Sequence, residues 1–174
     1  MNTKPYKKLA WLNELSAAKA EAAFLDCCGS REWAMAMTRS RPYPMLENLF
    51  VTAEKIWFSL PIADHLEAFA AHPKIGSEKS SSAKSDRSAN WSESEQSGMN
   101  EADRQVRSSF VEANRLYEDK FGFIFIVCAT GKTAEEMLAV CRARLSNSVQ
   151  TELEIAAEEQ QKITEIRLCK LLEK

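Results

Sequence analysis

The sequence predicts an all-α fold: a single-domain bundle of about seven or eight helices with one short buried extended segment. Three observations carry that prediction. Apolar residues recur at helical spacing through most of the 174 residues. Gly and Pro number only 5 each, too few for the many turns of a β-sandwich or barrel. Residues 121–127 alone are both strongly apolar and β-prone, and no second strand is available to pair with them. The length suits one domain, on a prior of about 150 residues per domain. We therefore read residues 1–174 as one unit, able to bury about two-thirds of its unfolded surface without staples.

The elements follow in order. Residues 9–25 carry Leu12, Leu15, Ala18, Ala22 and Leu25 at helical spacing and read as one helix. Gly29 can end a helix and Ser30 can cap the next, 31–37. Arg41, Pro42, Tyr43 and Pro44 make a loop. A helix over 45–59 has Leu46, Leu49, Phe50, Ala53 and Trp57 as its stripe, and a shorter one spans 62–71. The latter should stop at His72, since a residue before proline is pushed out of the helical region. Within residues 77–90 large apolar side chains almost vanish and serines crowd in, which reads as a solvated surface loop. A long helix is expected over 92–120, striped by Val106, Phe110, Ala113 and Tyr117. Residues 121–127 then form the buried connector. Thr133 and Glu136 bracket a capping box that starts another helix, and the last helix spans about 151–172.

Composition excludes several classes. Net charge is −2, so no global basic field draws the chain to nucleic acid or to an anionic membrane surface. No run approaches the roughly 20 apolar residues of a membrane span, and the first residues lack the apolar core of a secretory signal. The five cysteines, Cys27, Cys28, Cys128, Cys141 and Cys169, are odd in number and contain no CxxC pair. That argues against a structural zinc site or a disulfide framework and for a reducing compartment. They read as small buried hydrophobes, and no activating base stands beside Cys27 and Cys28 in the sequence. With His65 and His72 the only histidines, no metal site is expected.

Four places could carry chemistry. His72 before Pro73 is either a helix-terminal histidine stabilised by the helix dipole or an imidazole held rigidly beside a ligand. Ser92, Glu93, Ser94, Glu95 and Gln96 fit an S-x-x-E capping box. A helix start is also an anion site, so the same turn could present Glu95 or Gln96 to a polar ligand. Arg167 falls on the stripe Leu153, Ala156, Gln160, Ile163, Arg167, Leu171, a face that otherwise goes to the core. It needs either a structural carboxylate or a substrate carboxylate as partner. Arg144 is a weaker candidate of the same kind. Phe123, Ile124, Phe125, Ile126 and Val127 are either plain core or a segment whose unpaired amides bind a planar heterocycle.

Taken together, the motifs His72-Pro73-Lys74-Ile75-Gly76, Ser92 to Gln96, Phe121 to Phe125, Arg144 to Asn147 and Ile163 to Leu168 resemble the motif series of the OHCU decarboxylases. The resemblance runs through nearly the whole chain, in order. It implies an all-α, cofactor-free, usually homodimeric enzyme of urate degradation. Such an enzyme converts 2-oxo-4-hydroxy-4-carboxy-5-ureidoimidazoline (OHCU) to (S)-allantoin. It also implies His72 and Glu95 as catalytic residues. Pro73, Ser92, Glu93, Ser94, Gln96, the backbone of Phe123 to Val127, and Arg167 become substrate-binding positions. Cys27 to Ser30, Ile56 to Phe58 and Glu152 to Ala157 are more similar still to plant members of the family. Those are fused to a transthyretin-like hydroxyisourate hydrolase domain, which a chain ending at Lys174 is expected to lack. The plant fusions imply a peroxisomal or cytosolic setting and a receptor kinase as a further partner. The alternative reading is a non-catalytic helical interaction module for such a kinase.

Overall fold

The computed structural model describes residues 4–75, 85–95, 97 and 102–173, residues 4–7 by their backbone alone. The described residues form nine α-helices and no strand, and no helix among them is long and apolar enough to cross a membrane. The chain divides into two compact units, residues 1–68 with 161–174, and residues 69–160.

The expected helix over 9–25 is two helices, α1 (Lys4–Glu14) and α2 (Ala17–Cys28). Ser16 is the reason: its backbone leaves the helical region at ψ 154° and its side chain accepts from Lys19 N–H, so a new helix starts there. The break shifts the buried face. Leu9, Leu12, Ala20, Ala23, Phe24, Cys27 and Cys28 are the core residues, while Ala18, Ala22 and Leu25 are exposed. Gly29 ends α2 at φ +88°, a conformation that suits glycine. Ser30 then caps α3 (Arg31–Arg39) by accepting from Trp33 N–H.

In this first unit α2 packs on α3, α3 on α4 (Leu46–Ser59), and α1 on α4. Trp33, fully buried, donates its indole N–H to the Ala53 carbonyl (3.0 Å), so the large ring enters the core with its polar atom satisfied. Arg41 caps the end of α1, donating to the carbonyls of Leu12 and Leu15, each at 2.8 Å. Pro61 precedes α5 (Ile62–Ala70). Arg31 pairs with Glu67 of α5 at 2.6 Å, an exposed contact.

In the second unit α6 (Asp86–Glu95) begins six residues before the expected start. Ser85 caps it, its hydroxyl accepting from Ser88 N–H, so Ser92 is not a cap. It lies in the last turn and donates its hydroxyl to the Ser88 carbonyl (3.0 Å). The serine-rich stretch expected as a loop over 77–90 is thus helical from Asp86, and its residues 77–84 lie outside the described residues. The expected helix over 92–120 is likewise two: Asp103 caps a separate α7 (Arg104–Phe121) by accepting from Val106 N–H. These two divisions account for nine helices among the described residues where seven or eight were expected.

Gly122, at φ +77°, ends α7 and turns the chain into residues 123–129, which are neither helix nor strand and are largely buried. Thr133 and Glu136 form the capping box of α8 (Ala134–Arg144), which packs on α7. Helix α9 (Val149–Glu173) follows.

One buried ion pair ties these elements together. Arg144 Nε donates to Glu152 Oε1 (2.7 Å), Nη1 donates to the Ile126 carbonyl (2.8 Å), and the guanidinium lies 4.9 Å from the Phe125 ring centroid. Glu152, with no exposed surface, also accepts from Tyr117 hydroxyl and, at 2.8 Å, from Asn147. The two buried charges thereby gain several hydrogen-bond partners as well as each other, which is what makes their burial tolerable. Burial, and then the bond to Glu152, push the Tyr117 phenol well above its ordinary range. Arg144 is therefore structurally paired.

Two predictions follow from these core groups. Arg144→Met leaves a buried carboxylate unpaired and should cost about 3–5 kcal/mol in urea unfolding, whereas Arg144→Met with Glu152→Leu should cost less than the single change. Burial pushes the Cys28 thiol up to about 12, from an ordinary value near 9. The unfolded chain therefore releases that proton first, and stability should fall as pH climbs from about 9 towards 12. A Cys28→Ala variant should show a shallower decline when melting is followed over that range.

Candidate active site

The site residues are best understood from the end of α5. The backbone of His72 closes the helix with a hydrogen bond from its N–H to the Phe69 carbonyl (3.0 Å), and Pro73 prevents continuation. The next residues are pinned to α7: Lys74 pairs with Glu118 at 2.9 Å, and Asn114 donates to the Ile75 carbonyl at 2.9 Å. Phe69 stacks against Phe123 with ring centroids 5.4 Å apart, setting the start of the extended segment beside the helix that delivers His72. Gly76 lies outside the described residues.

The imidazole is half-buried, and its Nε2 lies 2.7 Å from Oε1 of Gln160, a side chain with no exposed surface. The neighbouring Glu159 accepts from Cys128 N–H at 2.7 Å. Two consecutive residues of α9 thus hold the imidazole and the end of the extended segment. Along that segment Ile126 gives its carbonyl to Arg144. Among the described residues, nothing accepts a hydrogen bond from the N–H groups of Phe123 to Val127. Buried amides of this kind are strong donors for an acceptor-rich ligand.

Glu95 is buried at the end of α6, with Ser92 buried one turn before it and Glu93 and Ser94 exposed. The Cys128 thiol is pushed up chiefly by its burial. Lys132 opposes that shift, and the carboxylates of Glu159 and Glu95 add to it. Glu95 therefore acts electrostatically on the same end of the segment that Glu159 holds. Gln96 lies outside the described residues.

The second unit thus contains His72, Pro73, Ser92, Glu93, Ser94, Glu95 and the run Phe123, Ile124, Phe125, Ile126, Val127. Arg167 belongs to the first unit. There it is buried, as its place on the stripe implied, and its charge acts to lower the pKa of the Cys28 thiol. Gln160, Glu159 and Glu152 were not singled out from sequence. Gln160 carried a readable signal, since it occupies the same apolar stripe as Arg167 and a buried amide needs a partner.

Comparison with known proteins places the chain in a family. The "OHCU decarboxylase" family matches residues 13–169. The chain is 48% identical over 147 residues to the uric acid degradation bifunctional protein TTL of Arabidopsis thaliana, covering 83% of this chain and 45% of that protein. It thus spans less than half the length of that relative. It is 28% identical over 141 residues to the 2-oxo-4-hydroxy-4-carboxy-5-ureidoimidazoline decarboxylase of Amia calva, covering 80% of this chain and 79% of that one. A crystal structure of OHCU decarboxylase in the presence of (S)-allantoin superimposes with a TM-score of 0.76 at 41% identity, over 88% of this chain and 99% of that one. With motifs, fold and relatives in agreement, the chain belongs to the OHCU decarboxylase family.

Proposed function

We propose that this chain decarboxylates OHCU, releasing carbon dioxide and leaving (S)-allantoin. The observation that carries the reading is the imidazole of His72, anchored on Gln160 in the unit that also holds the extended segment and its donor-rich backbone.

The chemistry suits a protein that supplies orientation, charge placement and one proton. The substrate carboxylate stands on C4, next to the C5=N imine. When the C4–carboxylate bond breaks, its electron pair forms C4=C5, the imine π pair moves to nitrogen, and that nitrogen takes up a proton. The substrate is its own electron sink, the task a pyridoxal group performs in plain amino-acid decarboxylation. His72 accepts the C4 hydroxyl proton, and protonation of C5 from one face sets the S configuration. Glu95 orients the reacting groups. Pro73, Ser92, Glu93, Ser94, Gln96 and the amides of Phe123 to Val127 hold the ring and ureido edges. Arg167, as a further binding residue, would engage an anionic edge, so Arg167→Ala should raise KM more than it lowers thermal stability.

The proposal extends to a homodimer in a peroxisomal or cytosolic setting. The five free cysteines support a reducing compartment. It also extends to a companion hydroxyisourate hydrolase domain of transthyretin type. The bifunctional name and greater length of the Arabidopsis relative support that arrangement.

The test supplies urate, urate oxidase and hydroxyisourate hydrolase, and follows allantoin by circular dichroism. Rapid appearance of one enantiomer is the expected result; racemic product at the spontaneous rate would refute it. His72→Asn should lower kcat by about 10²–10⁴-fold while the melting curve stays near wild type.

A further inference from the structure

We propose that Gln160 is a positioning residue that sets the tautomer of His72, placing the ring's proton on Nε2 and its basic lone pair on Nδ1. The inference rests on the decarboxylase reading for its kinetic consequence but not for its geometry. Gln160 has no exposed surface, and its Oε1 lies 2.7 Å from His72 Nε2. An amide oxygen carries no hydrogen, so at this distance Nε2 must be the donor. A neutral imidazole has one N–H, and with that proton on Nε2 the lone pair stands on Nδ1. The opposite tautomer would require the buried amide to turn over and present its NH2 group in place of Oε1.

The choice of glutamine matters. A carboxylate here would also accept from Nε2–H, but its negative charge would favour the imidazolium. A neutral amide orients the ring without that bias, so the ring can both take and return a proton. Its neighbour Glu159 is held by the Cys128 amide. The residues that anchor the extended segment and the imidazole thus share one turn of α9.

The experiment uses the whole chain with ¹⁵N-labelled histidine. Only two histidines are present, and His72→Asn assigns the spectrum. Long-range ¹H–¹⁵N correlation at pH 8 should show His72 as the Nε2–H tautomer. Gln160→Glu should keep the proton on Nε2, because an oxygen acceptor remains, while adding a share of the doubly protonated ring. Gln160→Leu should give a mixture of tautomers and lower kcat by about 10- to 100-fold, with KM changed less than about twofold. An Nδ1–H tautomer in the unmodified chain would overturn the proposal. So would a Gln160→Leu variant that keeps both the Nε2–H pattern and kcat. Should Gln160→Leu not fold, the unmodified chain and Gln160→Glu decide on the spectrum. Should the unmodified chain turn over no OHCU, the decarboxylase reading fails while the spectrum still decides the role of Gln160.

Discussion

Backbone buried outside both helix and sheet has no ladder to satisfy its polar groups, and the second unit is organised around that constraint. Residues 123–129 enter from α7 by a glycine turn and run into the core. Most of their hydrogen bonds come from side chains: Arg144 takes the Ile126 carbonyl, Glu159 the Cys128 amide and the Lys132 ammonium the Cys128 carbonyl, while the Lys132 N–H closes a backbone turn on the Ala129 carbonyl. The first of those side chains is fixed by something further. Arg144 is neutralised by Glu152, and Glu152 is surrounded by Tyr117 and Asn147. Charges are normally excluded from such a place, but a fully bonded cluster can hold a backbone shape that apolar packing alone would leave undetermined.

The same constraint gives a physical route from fold to chemistry. Backbone pinned through selected carbonyls and amides offers its remaining donors in a fixed geometry, and pre-set donors cost nothing to reorganise when a ligand arrives. Aromatic contacts extend the rigidity: Tyr117 touches Phe121, Phe123 and Phe125, and Phe123 meets Phe69 at the end of α5. His72 follows Phe69 by three residues. Its ring is therefore placed from two sides, by the helix that ends before it and by the amide of Gln160.

Much of this was legible in the residues. The glycine stops, the Ser30 and Thr133 caps, the stripes of α4 and α7, and the isolated β-prone run all act locally, so a short window of sequence exposes them. Where reading failed, two local signals competed. Ser16 split an apparently continuous stripe and turned Ala18, Ala22 and Leu25 outward. Ser85 capped α6 ahead of Ser92, whose S-x-x-E pattern was an equally good start on paper. Among the candidate residues, Arg167 stood out as a charge on an apolar stripe, while Gln160 on the same stripe drew no attention because an amide looks unremarkable in a helix. The pairings of Arg144 with Glu152 and of His72 with Gln160 join residues 8 and 88 positions apart. No periodicity predicts such partners.

The spacing along α9 has a consequence for how this protein can change length. Glu152 and Gln160 stand eight residues apart, just over two helical turns, and each faces a fixed partner inside the second unit. Inserting or deleting one residue between them would swing one side chain about 100° around the helix axis relative to the other. Drift in chain length is therefore confined to the connecting segments, and this stretch behaves as a ruler whose gradations cannot be altered singly.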